Sequence, residues 1–130
     1  MINKTILVGN LGADPEIRYT ASGKAVANAR VATSEKYKNA SGDLVTHTEW
    51  HRLVGWGKTA EIMGQYATKG RQVYIEGKNR TRTWDDKDGV KHYTTEVIVN
   101  VFRLLGPATD KNDTNEGDAP SDDEYPAESV

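Results

Sequence analysis

A chain of 130 residues with 36% hydrophobic residues and 12 glycines is the size of one domain and has enough apolar matter for a single core. It contains no cysteine, which excludes disulfides, thiolate nucleophiles, zinc fingers and iron–sulfur clusters. The net charge of -2 hides a division: residues 1–109 carry 16 Lys and Arg against 11 Asp and Glu, whereas residues 110–130 carry only Lys111 against 8 acids. A basic body that suits a polyanion is therefore followed by an acidic tail that would repel one. No apolar run approaches the roughly 18 residues of a membrane span, and Met1-Ile2-Asn3-Lys4 opens no signal-peptide core. A soluble cytoplasmic protein is expected.

In chain order, Thr5-Ile6-Leu7-Val8-Gly9 is a short apolar strand, and Leu11-Gly12-Ala13-Asp14-Pro15 has turn chemistry. Residues 25–33 mix small and β-branched side chains, with Asn28 and Arg30 on one parity, so they predict a strand with one wet face. Asn39-Ala40-Ser41-Gly42-Asp43 marks a loop. Residues 46–56 alternate, with Thr46, Thr48, Trp50, Arg52, Val54 and Trp56 on one side and His47, Glu49, His51 and Leu53 on the other. The period then breaks. Ala60, Met63, Tyr66 and Ala67 predict a helix over 59–69 that stops at Gly70, despite Gly64 inside it. Strand pattern returns over 72–84 and again over 93–101, joined by the turn Asp85-Asp86-Lys87-Asp88-Gly89. Five strands with one helix between the third and fourth are too many for an open sheet on a single helix, so an all-β, closed small barrel is expected. Residues 1–109 form that domain. Residues 110–130 cannot bury enough surface to offset their ordering entropy, so a disordered tail is expected there.

Three apparent motifs fail on their spacing. Gly57-Lys58-Thr59 sits where a phosphate-binding loop would, but the required first glycine is Arg52. The Asp85, Asp86, Asp88 and Gly89 cluster lacks the acid or amide that a calcium loop places five residues before its glycine, because that residue is Trp84. Asp and Gly gather at hairpin tips for turn reasons alone. His47 and His51 stand four apart on a strand, roughly 13 Å, too far to share one ion. His92 is remote from both in sequence, no Ser/His/Asp arrangement is evident, and the four Asn-x-Ser/Thr sequons carry no weight without a secretory signal. Neither metal, cofactor nor catalytic group is expected.

The aromatic and basic residues carry the signal. Trp50 and Trp56 share a parity with Arg52, Trp84 shares one with Lys78, Arg80 and Arg82, and Tyr37 lies between Lys36 and Lys38 in what reads as a polar loop. A buried core strand would not place Arg beside its tryptophans. Flat rings alternating with cations suit an unpaired nucleic-acid strand, whose bases stack while its phosphates meet the cations. An RNA-binding barrel would use the same rings, and tryptophans at a protein interface would leave the same pattern.

The segment Thr5-Ile6-Leu7-Val8-Gly9-Asn10-Leu11-Gly12-Ala13-Asp14-Pro15-Glu16-Ile17-Arg18-Tyr19 resembles the opening of the bacterial-type single-stranded DNA-binding protein (SSB) family. Val31-Ala32-Thr33-Ser34, Thr48-Glu49-Trp50-His51-Arg52, Gln72-Val73-Tyr74-Ile75-Glu76-Gly77, Arg80-Thr81-Arg82 and Tyr93-Thr94-Thr95-Glu96-Val97 follow in family order. The resemblance covers about residues 2–103. It implies an OB-fold, a homotetramer and non-enzymatic, sequence-independent binding of single-stranded DNA in replication, recombination and repair. It further implies stacking positions at Tyr37, Trp50, Trp56 and Trp84, and phosphate contacts at Lys4, Arg18, Lys58, Lys69, Arg80 and Arg82. His51 and Tyr74 match positions that face neighbouring subunits.

The tail departs from the family pattern. Asp122-Asp123-Glu124-Tyr125-Pro126 keeps the acids, but Ala127-Glu128-Ser129-Val130 replaces the apolar Pro-Phe tip that docks replication and repair proteins in the family. Weak or redirected partner binding is therefore expected, as would suit a phage- or plasmid-borne copy.

Overall fold

The computed structural model describes residues 1–106. In chain order they form β1 (Thr5–Leu11), β2 (Glu16–Tyr19), β3 (Ala25–Lys38), β4 (Leu44–Trp56), α1 (Lys58–Tyr66), β5 (Gln72–Asp85) and β6 (Lys91–Leu105). The strands join in the order β1-β5-β6-β4-β3-β2, and a further β1–β3 pairing closes the sheet on itself. β1 meets β3 at Asn10–Ala32 and Leu11–Val31, and β2 continues along the same strand from Glu16–Asn28 to Tyr19–Ala25. β1 and β2 thus act as one strand interrupted by the turn at residues 12–15. The result is the expected five-stranded OB-type barrel with a single helix. The β1–β3, β1–β5, β2–β3, β3–β4 and β5–β6 pairings are antiparallel; β4 and β6 run parallel at Leu53–Val97 and Val54–Ile98.

Alternation puts Ala25, Ala27 and Val31 of β3, Leu53 of β4, Val73 and Ile75 of β5, and Phe102 and Leu104 of β6 inside. Burying these side chains is the main term that holds the barrel closed. α1 packs against β2, β3, β4 and β6 and contributes Ala60 and Met63 to the core. The helix ends at Tyr66, earlier than its pattern suggests. Ala67 is already extended, and its N–H donates to Met63 O. Gly70, expected to end the helix, instead uses its positive φ of 85° in the turn after it, where Arg71 N–H donates to Thr68 O at 3.1 Å. Gly64 also has a packing reason, since a Cβ there would stand 2.5 Å from Ile17 Cγ1.

Two antiparallel hairpins run out past the buried core. In the first, β3 continues to Lys38 because its outer residues pair with the start of β4, as in Tyr37–Val45 and Lys38–Leu44. This corrects the placement of Tyr37 in a loop. Asn39 closes the hairpin with its Oδ1, which accepts the N–H groups of Ser41 and Asp43. In the second, β5 and β6 pair out to Asp85–Lys91. Among the described residues no helix is long and apolar enough to cross a membrane. The acidic tail, with its Asp122-Asp123-Glu124-Tyr125-Pro126 segment, lies outside the described residues.

Candidate nucleic-acid interface

Residues directly opposite in an antiparallel pair share a face, as do alternate residues along a strand. Starting from Trp56, the row across the sheet reads Trp56, Val26, Arg18; further rows place Arg52 beside Arg30 and Trp50 beside Ala32. The same outward face crosses to β6 at Val54–Ile98 and on to β5 at Lys78, then runs out through Arg80–Glu96 and Arg82–Thr94 to Trp84–His92. One continuous sheet face therefore holds all three tryptophans, together with Arg18, Arg30, Arg52, Lys78, Arg80 and Arg82. Trp50 and Trp56 lie about 20 Å apart along β4, with the Arg30–Arg52 row between them.

None of the rings is sealed in the core. Trp50 is 49% exposed, Trp84 44% and Trp56 38%. Each indole also touches a side chain of its own chain. The Arg30 guanidinium lies 5.6 Å from the Trp50 ring centre and the Lys24 ammonium 5.6 Å from that of Trp56, both within cation–π range. Trp84 stacks on His92 with centroids 4.5 Å apart and planes at 19°, and its indole N–H donates to Thr94 Oγ1 at 3.1 Å. Trp50 leans over Gly12, where a Cβ would come within 2.6 Å of Cζ3. Gly12→Ala should therefore shift that ring. The expected result is a loss of about two- to tenfold in affinity for an unpaired thymidine oligomer, a fraction of one stacking contact, with the melting temperature nearly unchanged. Fluorescence titration checks it.

Between the rings the face sinks into a groove of about 320 Å³ lined by Gly12, Asp14, Arg30, Arg52, Arg82 and Glu96, among others. At its base Glu96, only 6% exposed, receives Arg82 Nε at 3.3 Å and Arg80 Nη2 at 3.5 Å on the same carboxylate oxygen. The buried charge is thus paired, and it fixes the Arg82 guanidinium at the groove wall with that of Arg80 beside it. Sequence reading placed Arg52 with the tryptophans and Arg30 on a wet face, but it did not single out Glu96 or Lys24 as part of the site. Joining Arg30 to the tryptophans depends on the β3–β4 register, and the Glu96 pairing on the β5–β6 register, which only the folded sheet fixes.

The other expected site residues are divided. Arg18 lies on the tryptophan face, held by Glu16 at 3.3 Å. Lys58 opens α1, two residues after Trp56, and Lys69 lies in the turn whose backbone N–H donates to Asp14 Oδ1 at 2.7 Å. The Lys58 and Lys69 side chains make no ion pair with a described residue. Tyr37 is exposed but sits on the opposite surface of the β3–β4 hairpin from Trp50, because it differs in parity from Ala32, the partner of Trp50. His51 shares the parity of Tyr37 and is half-buried, with Nε2 2.9 Å from Thr33 Oγ1.

Tyr74 lies toward the start of β5, far along the strand from Trp84, beside the exposed Ile6 and Val8 of β1. Its hydroxyl donates to Glu76 Oε2, and Lys4 reaches the other oxygen of Glu76 at 3.4 Å. Lys4 therefore belongs to this patch rather than to the tryptophan face. The bond to Glu76, followed by desolvation, raises the Tyr74 pKa above the usual phenol range. The same bond, assisted by Lys4, holds Glu76 below the usual carboxylate range. The Tyr74 contribution to stability is complete below about pH 10 and is lost as pH rises through its raised value; that of Glu76 is complete above about pH 4.3 and is lost as pH falls through its lowered value. An absorbance titration should show one late-ionising tyrosine, and Glu76→Ala should return it to the main group. If all tyrosines of the wild type ionise together, the bond does not form in solution.

Residues 2–105 match the model of the single-strand binding protein family. The chain belongs to that family. Single-stranded DNA-binding protein 1 of Chlorobaculum tepidum is 56% identical over 106 residues, which is 81% of this chain and 65% of that relative. The chain thus spans slightly less than two thirds of the relative's length. A solved structure of the Plasmodium falciparum SSB complex with ssDNA superposes with a TM-score of 0.75 at 31% identity, covering 81% of this chain and 96% of the other. Membership of the SSB family rests on the barrel domain, which carries every tryptophan of the candidate face.

Proposed function

We propose that this SSB-family chain binds single-stranded DNA without sequence preference and protects it, performing no chemistry on it. Bases stack on Trp50, Trp56 and Trp84, and phosphates meet Arg18, Lys58, Lys69, Arg80 and Arg82. A strand that wraps past the face reaches Tyr37 on the far side of the β3–β4 hairpin. The observation that carries the reading is the presence of three part-exposed indoles on one sheet face with arginines between them. Solvent-exposed rings of this kind gain about 1–3 kcal/mol from each stacked base. Association should weaken with added salt, with a slope per phosphate contact of about 0.7, against about 0.9 for a duplex binder.

Work of this kind belongs to replication, recombination and repair in the cytoplasm, on the nucleoid or in a host cell. The full assembly is a homotetramer, in which a second copy covers the Ile6, Val8 and Tyr74 patch and His51 meets a further neighbour. The acidic tail recruits protein partners, weakly or with altered choice. Sedimentation of a monomer at micromolar concentration would remove the tetramer from this reading.

The decisive experiment is titration of the protein with oligo-dT while following tryptophan fluorescence. Strong quenching that saturates, together with displacement by unpaired DNA of any sequence, supports the proposal. No change in fluorescence would instead assign the tryptophans to a protein interface. Tighter competition by RNA than by DNA of the same sequence would make the chain an RNA binder.

A further inference from the structure

The Trp84 ring stands near the tip of the β5–β6 hairpin, beyond the buried core, where every β5 residue from Lys78 onward is exposed. An unsupported indole there would sample several rotamers, and ordering it on binding would cost affinity. The structure instead holds it at two points. His92, the directly opposed residue on β6, stacks on one ring face at 4.5 Å and 19°, and Thr94, two residues along, accepts the indole N–H. His92 is itself held. A carboxylate can only accept, so His92 Nε2 donates to Asp86 Oδ2 at 2.8 Å. The other oxygen of Asp86 accepts the N–H groups of Asp88 and Val90 and so fixes the hairpin turn. Turn, imidazole and indole form one chain of contacts. With one ring face covered by His92, the 44% of Trp84 that remains exposed is the other face and the rim.

From this arrangement we infer that His92 is a positioning residue for nucleic-acid binding: it backs Trp84 so that one indole face is presented, ready-oriented, to a single base. The inference rests on the proposed binding of single strands and adds a role for a residue outside the stacking and phosphate sets. The backing is by ring contact. Trp50 and Trp56 receive cations in the same place, and those cations can also meet phosphates. His92 differs in that its Nε2 is held by Asp86.

The test compares His92→Ala and His92→Phe in the full chain, using two probes: oligo-dT, and an oligomer of the same length that has abasic sugars throughout. Wild-type protein that fails to bind oligo-dT would defeat the proposed function itself. If it binds, His92→Ala is expected to lose about three- to tenfold in affinity for oligo-dT, the value of one aromatic pair. It should lose nothing for the abasic oligomer, which has phosphates but no bases. His92→Phe restores a flat backing ring without charge and should return oligo-dT affinity to within about twofold of wild type, inside the spread of one aromatic pair. Should alanine fray the hairpin in a thermal melt, His92→Thr, a strand-favouring residue without a ring, makes the same comparison. Equal affinity of wild type and the ringless variant for oligo-dT would overturn the inference. So would equal losses in His92→Ala and His92→Phe on both probes, which would make His92 a phosphate contact.

Discussion

Replacing Phe102 with alanine should destabilise the barrel by about 3–5 kcal/mol. Phe102 is the chain's only phenylalanine and is fully buried, as are Leu53, Met63, Ile75, Val31 and Val73. It lies on β6, opposite Ile75 of β5, in the core cluster that also takes in Met63 of α1. Truncation removes the ring's transfer free energy and leaves a cavity that a closed barrel can relax into only partly. Domains of this size are stable by about 5–15 kcal/mol, so the variant should still fold at low temperature. Its urea midpoint should fall sharply at unchanged slope. Phe102→Leu keeps most of the volume and should cost far less. A stability loss of under about 1 kcal/mol for the alanine variant, the average for any point mutation, would mean that the centre of the core is elsewhere.

The second large effect is on binding. Trp84→Ala alone should weaken oligo-dT binding by about 1–3 kcal/mol, and Trp50→Ala by a similar amount. The rings stand on different hairpins and have no common partner: Trp50 touches Arg30 and Gly12, while Trp84 touches His92 and Thr94. Their losses should therefore add, so the double variant should bind about 2–6 kcal/mol more weakly. Both sites are exposed, so melting temperatures should change little. The remaining Trp56 still reports binding by its fluorescence. A double variant that binds oligo-dT as tightly as wild type would take stacking out of the mechanism. Coupling between the two losses would show that one strand segment spans both rings as a unit.

Much of this was legible in the chain. The alternation over residues 46–56 separates Trp50, Arg52 and Trp56 from His51 and Leu53, and the structure keeps that separation. The period change after Trp56 locates the helix. What escaped depends on pairing between distant segments. β2 has four residues, of which only Ile17 turns toward the core, too few to make a pattern. Tyr37 looks like loop because Glu35, Lys36 and Lys38 surround it, yet pairing with residues 44–48 carries the strand outward. The end of α1 is set by Ala67 turning extended rather than by the glycine that follows. The face itself was half-visible: parity groups the tryptophans with arginines on each strand, but only the β4–β6 contact merges the two groups into one surface.

That contact is brief. β4 and β6 meet in parallel at just Leu53–Val97 and Val54–Ile98, residues that the helix, β5 and the hairpin turn separate along the chain. The ring of strands cannot shut until this distant stretch has folded back, so a large loop must be ordered before its contacts stabilise anything. β6 also brings Phe102. A nascent chain emerging from the ribosome therefore has an open, half-filled sheet until its sixth strand arrives, and over that interval its apolar edges are exposed to other chains.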